Sequence, residues 1–363
     1  MSKADVIELD RNRLIVDLKQ GKLGGCAFDV AKAVVSHMRK VVGQGRYTNI
    51  NELIELIRSE GRQLAEARAT QYVVGNMVLR VLKLVREERI RLYSGMDEVP
   101  SDPYDSLQTL WESQDASTLS IDRNKLKHAM IETLGEYIQE LECGVETITA
   151  QAPDHIDDRD TVLTLSHSTT VEQFALVAAR KKRFRVLVVQ CSPENKGDAL
   201  CERLREETKK SDKKDGPKFS GIESVPDAAV CAVMPQVNKV LLGAHCVLAD
   251  GGFVGPAGTY ALCLAAKRYS VPVIVCAAFY KLTPKFMSAD DQEQFNEVRS
   301  PLALLSSDCG ADLMSKVNVY NTTFDYVPPE LVSLYIMQTF ATAPSYVYRL
   351  LGEYFHPDDI SCA

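Results

Sequence analysis

The amino-acid sequence predicts an α/β protein in which an all-helical N-terminal domain precedes a domain built on a mostly parallel sheet. Three observations carry that expectation. The first 150 residues lack strand alternation and are rich in helical periodicity. From about residue 160, short β-branched apolar runs alternate with segments of helical spacing, as in a doubly wound fold. Glycine-rich text stands where one of those apolar runs ends, in "GAHCVLADGGFVGPAGTYALCLAAKRY" at 243–269.

In chain order, "TNINELIELIRSEGRQLAEAR" offers Thr48, Asn49 and Asn51 as helix caps. It then places Ile50, Leu53, Ile54 and Ile57 at three- and four-residue spacing, one apolar stripe. "VVGNMVLRVLKLVREERIRLY" sets Met77, Val81, Leu84 and Val85 on one face and Arg86, Glu87, Glu88 and Arg89 on the far one. Residues 94–122 carry prolines, serines and acids without a sustained period and read as an exposed connection. Leu126, Met130, Leu134, Tyr137 and Leu141 mark a long linking helix over 123–150. The expected division is a helical domain at 1–122, that helix, and a Rossmann-like α/β domain at 151–363.

Within the third part, "TVLTLS", "FRVLVVQC", "KVLLGAHCVLA" and "VPVIVCAAFY" have the length and composition of buried parallel strands. "TTVEQFALVAARKK", "NKGDALCERLREETKK", "PDAAVCAVMPQV" and "TYALCLAAKRYS" alternate with them as helices. A ligand crevice is then expected outside the carboxyl ends of the strands. The apolar "VSLYIMQTFATAPSYVYRLL" at 332–351 suits either a subunit interface or a buried core.

Composition narrows the function classes. Hydrophobic residues are 45% of the 363 and charged residues 25%, which disfavours disorder. The net charge of -7 disfavours nucleic acid as the main partner. No apolar run reaches the roughly 18 residues of a membrane span, and the charged N-terminus lacks a signal-peptide pattern, so a soluble, cytosolic chain is expected. Ten cysteines without a C-x-x-C pair and six scattered histidines call for no metal; the thiols read as buried and reduced. "RKKRFR" at 180–185 fits cations at the negative end of a helix dipole, with an anion patch as the alternative. "KKSDKKDGPK" at 209–218 reads as a solvated loop.

Two strand-end loops are candidate sites. In "TLSHSTTVEQF" at 164–174, Ser166, Ser168, Thr169 and Thr170 offer donors at a helix start, with His167 beside them. The plainer alternative is a cap by Ser168 or Thr169, with Glu172 completing a capping box. In the second loop, Gly251 and Gly252 permit positive φ, Gly255 and Pro256 fix a turn, and Gly258 and Thr259 lead into a helix. Asp250 serves there as a base or as a turn former. No nucleotide-binding glycine motif occurs.

These two loops together resemble the family that unites aldose-1-phosphate isomerases with the regulatory subunits of eukaryotic translation initiation factor 2B. "FDYVPPELVSLYI" at 324–336 and "APSYVYRLLGEYFHPDD" at 343–359 resemble its beta branch, and "VGNMVLRVLKLVREE" and "NINELIELIRSEGRQL" agree. The resemblance implies that the isomerases' catalytic cysteine and aspartate fall on Ser168 and His245, a weaker acid and a group of different charge. It also places Pro256 where a lysine stands and Gly252 where an aspartate stands. A non-catalytic subunit of a guanine-nucleotide exchange factor is therefore expected, with no cofactor. The implied partners are the alpha, gamma, delta and epsilon subunits, delta by direct pairing, and initiation factor 2 through its alpha subunit, whose phosphorylation the assembly senses. The alternatives are a sugar-phosphate isomerase and a vestigial sugar-phosphate or nucleotide sensor, for which His167, Ser168, Thr169, His245, Asp250, Gly251, Gly252, Gly258 and Thr259 form the candidate pocket or interface loop.

Overall fold

Side chains fix where the N-terminal helices begin and how they hold one another. Asn49 accepts the N–H of Glu52 at 2.8 Å, while the Glu52 carboxylate accepts the N–H and hydroxyl of Thr48 at 2.6 and 2.8 Å. Donors that a helix start leaves open are thereby satisfied. The computed structural model describes residues 3–23, 26–94, 123–210, 216–287, 296–304 and 316–360. The connection expected over 94–122 lies outside them from residue 95 on, as does the middle of the loop at 209–218.

The chain divides into two compact units, Met1–Glu142 with Arg349–Ala363, and Cys143–Tyr348. The first contains α1 (Lys3–Gln20), α2 (Ala27–Gln44), α3 (Ile50–Ala67), α4 (Tyr72–Ser94) and the start of α5 (Arg123–Ala150). The expected stripes are buried: Leu53, Ile54 and Ile57 on α3, Met77, Val81, Leu84 and Val85 on α4, and Leu126, Met130, Leu134, Tyr137 and Leu141 on α5. At Gly61 a Cβ would stand 2.4 Å from Val78 Cγ1, so glycine permits the close approach of α3 to α4. Buried His37 ties α1, α2 and α3 together, with Nδ1 2.9 Å from Asp10 and Nε2 3.4 Å from Glu60, whose other oxygen accepts Arg11 at 3.0 Å.

The C-terminal segment departs from the expected domain boundary. Residues from Arg349 on belong with the helices because Asp359, fully buried, accepts Arg58 at 2.6 Å and Arg86 at 2.9 and 3.0 Å. The Tyr354 hydroxyl lies 2.5 Å from that of Tyr137, and the Arg80 guanidinium stacks over the Tyr354 ring. Arg86 therefore faces a carboxylate rather than open solvent. Glu88, also expected on the far face, is buried and accepts Thr133 at 3.0 Å.

The second unit holds a seven-stranded sheet of β1 (Thr161–Leu165), β2 (Phe184–Val189), β3 (Phe219–Val225), β4 (Lys239–Gly243), β7 (Val273–Cys276), β9 (Leu334–Ile336) and β10 (Ala341–Thr342). Its order is β10-β9-β7-β4-β1-β2-β3, parallel except for β10. Strands run outward from β1 on one side and from β4 on the other, so the topological switch lies between them. A second sheet pairs β5 (Cys246–Val247), β6 (Phe253–Pro256) and β8 (Phe324–Val327) in antiparallel order β5-β6-β8. The main sheet is flanked by α6 (Thr169–Lys181), α7 (Lys196–Lys210) and α8 (Thr259–Arg268).

Several local expectations change. "KVLLGAHCVLA" is two strands of different sheets, β4 and β5. "PDAAVCAVMPQV" is a single turn, Val230–Val233, between 3-10 turns, since Pro235 removes a helical donor. In the 332–351 run, Tyr335, Ile336, Met337 and Val347 are fully buried, so core packing accounts for much of it. The thiols are not uniformly buried: Cys143 and Cys231 are exposed. Burial pushes the Cys201 thiol up to about 11 and those of Cys263 and Cys276 up to about 12, which keeps them protonated and unreactive.

Substituting Asp359→Asn leaves two arginines without their buried carboxylate and should lower stability by roughly 3–5 kcal/mol, read by denaturant unfolding at pH 7. Burial alone would raise the Asp359 carboxyl, but the Arg86 and Arg58 bonds hold it below the ordinary value. A depressed carboxyl stabilises the fold above its unfolded value of about 3.9 and ceases to as pH falls through the folded value. The gap between wild type and Asp359→Asn should therefore be full at pH 7 and shrink below about pH 4.

Candidate functional site

The crevice begins where β1 ends. Ser166 adopts φ 62° and donates its N–H to Val189 at 3.1 Å, turning the chain toward α6. Ser168 is the cap residue of that helix, yet its side chain makes no capping bond. It packs instead against the end of β4, where a Cβ on Gly243 would stand 2.5 Å from Ser168 Oγ. The capping box does not form, because a cap at Ser168 puts Val171 at the third helical position and Glu172 one residue beyond. Glu172 turns to His167, whose Nε2 lies 2.8 Å from its carboxylate, and accepts Arg203 at 3.4 Å. The His167 bond, opposed by burial and aided by Arg203, holds the Glu172 carboxyl below its ordinary value.

The glycine loop at 243–269 is held mainly by three consecutive residues of β8. Phe324 stacks on the His245 ring, centroids 4.4 Å apart at 26°. Asp325 Oδ2 accepts the N–H groups of Gly258 at 2.8 Å and Tyr260 at 3.1 Å, the donors that open α8. The Tyr326 hydroxyl donates to one oxygen of Asp250, whose other oxygen accepts the Gly252 N–H at 2.8 Å. Burial and the neighbouring Asp250 raise the Tyr326 hydroxyl above its ordinary value, keeping it a donor. Tyr335 donates to the Gly251 carbonyl at 2.8 Å, and Thr259 donates to the Pro256 carbonyl at 2.5 Å.

Two glycines of the loop have positive φ. Gly251 has φ 84° and a Cβ there would meet the Pro344 carbonyl oxygen at 2.5 Å; Gly258 has φ 97°. Gly255 and Pro256, expected to form a turn, instead continue β6 and pair with Asp325 and Phe324. The candidate residues thus fall into two groups. Ser168 meets the end of β4, while Asp250, Gly251, Gly252, Gly258 and Thr259 are knitted into β6, β8 and the Tyr335 strand. His167 and His245 serve different partners, Glu172 and Phe324. Sequence reasoning missed Arg203 and the Phe324–Tyr326 triplet as partners of these loops, and gave Glu172 a capping role where it bonds His167. The signal for the triplet was present as an aromatic-acid-aromatic alternation ahead of a proline pair. Among the described residues, no group of three histidine, cysteine or acidic side chains is placed to hold a metal ion.

A doubly wound sheet with a small antiparallel sheet against its switch-point loops defines the class, and known proteins of that class match the chain. The Initiation factor 2 subunit family model matches residues 26–339, and the chain belongs to that family. It is similar along its length to the beta subunit of translation initiation factor eIF2B from Dictyostelium discoideum, 33% identical with 95% of each chain covered. The beta subunit from Schizosaccharomyces pombe is 31% identical, again with 95% of each covered. Among solved structures, eIF2B beta from Chaetomium thermophilum superposes with a TM-score of 0.74 at 25% identity, over 99% of this chain and 94% of that one. The 5-methylthioribose 1-phosphate isomerase of Pyrococcus horikoshii, at TM-score 0.58 and 18% identity over 95% and 87% of the two chains, shares the fold. The family resemblance drawn from the two loops and the C-terminal text agrees with these matches.

Gly251→Ala should cost about 1–3 kcal/mol, since it adds a positive-φ penalty to a clash with backbone. Asp325→Ala frees two helix-start donors and should cost about 1–2 kcal/mol. Chemical unfolding of the two variants beside wild type measures both; unchanged midpoints would show that these contacts do not hold the loop.

Proposed function

We propose that the chain is a non-catalytic regulatory subunit of the guanine-nucleotide exchange factor for translation initiation factor 2. Whole-length similarity to two eIF2B beta subunits supports the class of protein. The observation that favours a non-catalytic role is the Asp325 carboxylate on the Gly258 and Tyr260 N–H groups. Those donors would otherwise suit a substrate phosphate, and an internal anion of the same sign competes with it. Ser168 and His245, where the isomerases carry their acid and base, are engaged in packing and stacking.

In this reading the chain pairs directly with a delta subunit, and the assembly includes alpha, gamma and epsilon subunits in the cytosol. The solved tetrameric eIF2B beta2-delta2 complex from Chaetomium thermophilum is the precedent for that pairing. The helical unit helps bind the alpha subunit of initiation factor 2. Phosphorylation of that subunit adds about -1.5 to -2 charges, and it changes exchange only through contacts that differ between two states of the assembly. Nucleotide exchange itself rests on other subunits.

Co-expression with delta, gamma and epsilon subunits, followed by native mass measurement, tests the reading. The expected result is a defined complex that contains this chain in contact with delta. A stable monomer that leaves delta uncaptured under the same conditions would overturn it.

A further inference from the structure

The end of the main sheet opposite the crevice carries a cluster of cations that the fold brings together from three separate stretches. Arg159 precedes β1, Arg180 and Lys181 end α6, Lys182 and Arg183 lie between α6 and β2, and Lys218 precedes β3. Backbone bonds set them side by side: Arg159 N–H donates to Arg183 at 2.7 Å, and Lys218 N–H donates to Ala179 at 2.7 Å. Arg159, Arg180, Lys181, Arg183 and Lys218 are exposed, and Lys182 is half-buried. None forms an ion pair among the described residues. Three carboxylates adjoin the cluster and offset part of its charge, Asp157 and Asp160 sharing Lys239 at 2.8 and 2.9 Å, Asp157 also feeling Lys182, and Asp158 accepting the Arg183 N–H at 2.8 Å; the six cations with Lys239 outnumber them.

The helix dipole does not account for this cluster. The carbonyls of Ala178 and Ala179 at the end of α6 already accept the N–H groups of Lys182 and Lys218 at 2.8 and 2.7 Å. Arg159 and Lys218, moreover, are not on that helix. General basicity does not explain it either, because the chain is net -7.

We propose that this face docks a short carboxylate-rich segment of a protein partner. Charges act over about 8–10 Å at physiological salt, so a short acidic segment feels the local cations while the acidic remainder of the chain is screened. A long nucleic acid would extend beyond the cluster into that remainder. The aromatic rings at this edge are also engaged with each other, Phe184 being fully buried and edge-on to Phe219 at 5.3 Å, so the platform on which bases stack is missing.

Fluorescence anisotropy of a labelled deca-glutamate peptide, titrated with the full chain, tests the proposal. Wild type should bind at low ionic strength and lose affinity as salt is raised. Lys181→Glu/Lys182→Glu/Arg183→Glu should bind at least about tenfold more weakly, and Lys181→Gln/Lys182→Gln/Lys218→Gln should bind several-fold more weakly. A variant of equal net charge, Arg62→Glu/Lys267→Glu/Arg268→Glu, should stay within about twofold of wild type. The backbone bonds of the region do not depend on these side chains, and circular dichroism verifies folding; the glutamine variant supplies the comparison if the charge reversal unfolds. No peptide binding by wild type, equal weakening in the charge-reversed variant and its matched control, or tighter binding of a single-stranded RNA of equal charge would each overturn the proposal.

Discussion

One carboxylate organises the loops of the α/β unit. Asp325 reaches from the small antiparallel sheet to the first turn of α8 and accepts both Gly258 and Tyr260 N–H groups. A helix start carries about half a positive charge, and an acid placed there typically contributes about 0.3–1 kcal/mol, more when partly buried. Its neighbours on the same strand extend the effect. Phe324 fixes the His245 ring, and Tyr326 bonds Asp250, which in turn closes the Gly251–Gly252 corner. Three successive residues therefore join β8 to three points of the glycine loop.

That arrangement changes what the glycines are for. A loop able to present N–H groups to a phosphate is filled from within by the chain's own acid and aromatics. Gly251 remains necessary because Pro344 lies close and φ is positive, and Gly258 because α8 starts from a left-handed residue. Both requirements are those of packing. Such a fold serves well as a rigid module in an assembly, and the helical unit offers the same quality through Asp359, Arg58 and Arg86.

The regular parts of the fold were legible because their signals are local. The stripes on α3, α4 and α5 follow from spacing alone, and β1, β2 and β7 are short β-branched runs bounded by turns. The edge strand β3 escaped notice because "FSGIESV" is exposed or half-buried up to Val225 and lacks a buried apolar run. Long-range partners were invisible for a different reason. Nothing near Arg86 signals that Asp359 lies against it, 273 positions away. Glu172 illustrates the limit at short range: a one-residue difference in where α6 starts sends its carboxylate to His167 instead of to a cap. The glycine loop's strand-to-helix course was legible from its glycines, but the β8 residues that hold it lie 67 and 76 positions from their partners.

The proposed non-catalytic role predicts that the crevice performs no sugar-phosphate chemistry, because Asp325 takes the N–H donors that open α8. Isothermal titration of the full chain with an aldose-1-phosphate, followed by an assay for isomerised product, addresses this most directly. The predicted result is no binding heat at millimolar ligand and no product. Saturable micromolar binding accompanied by turnover, lost on Ser168→Ala, would contradict it.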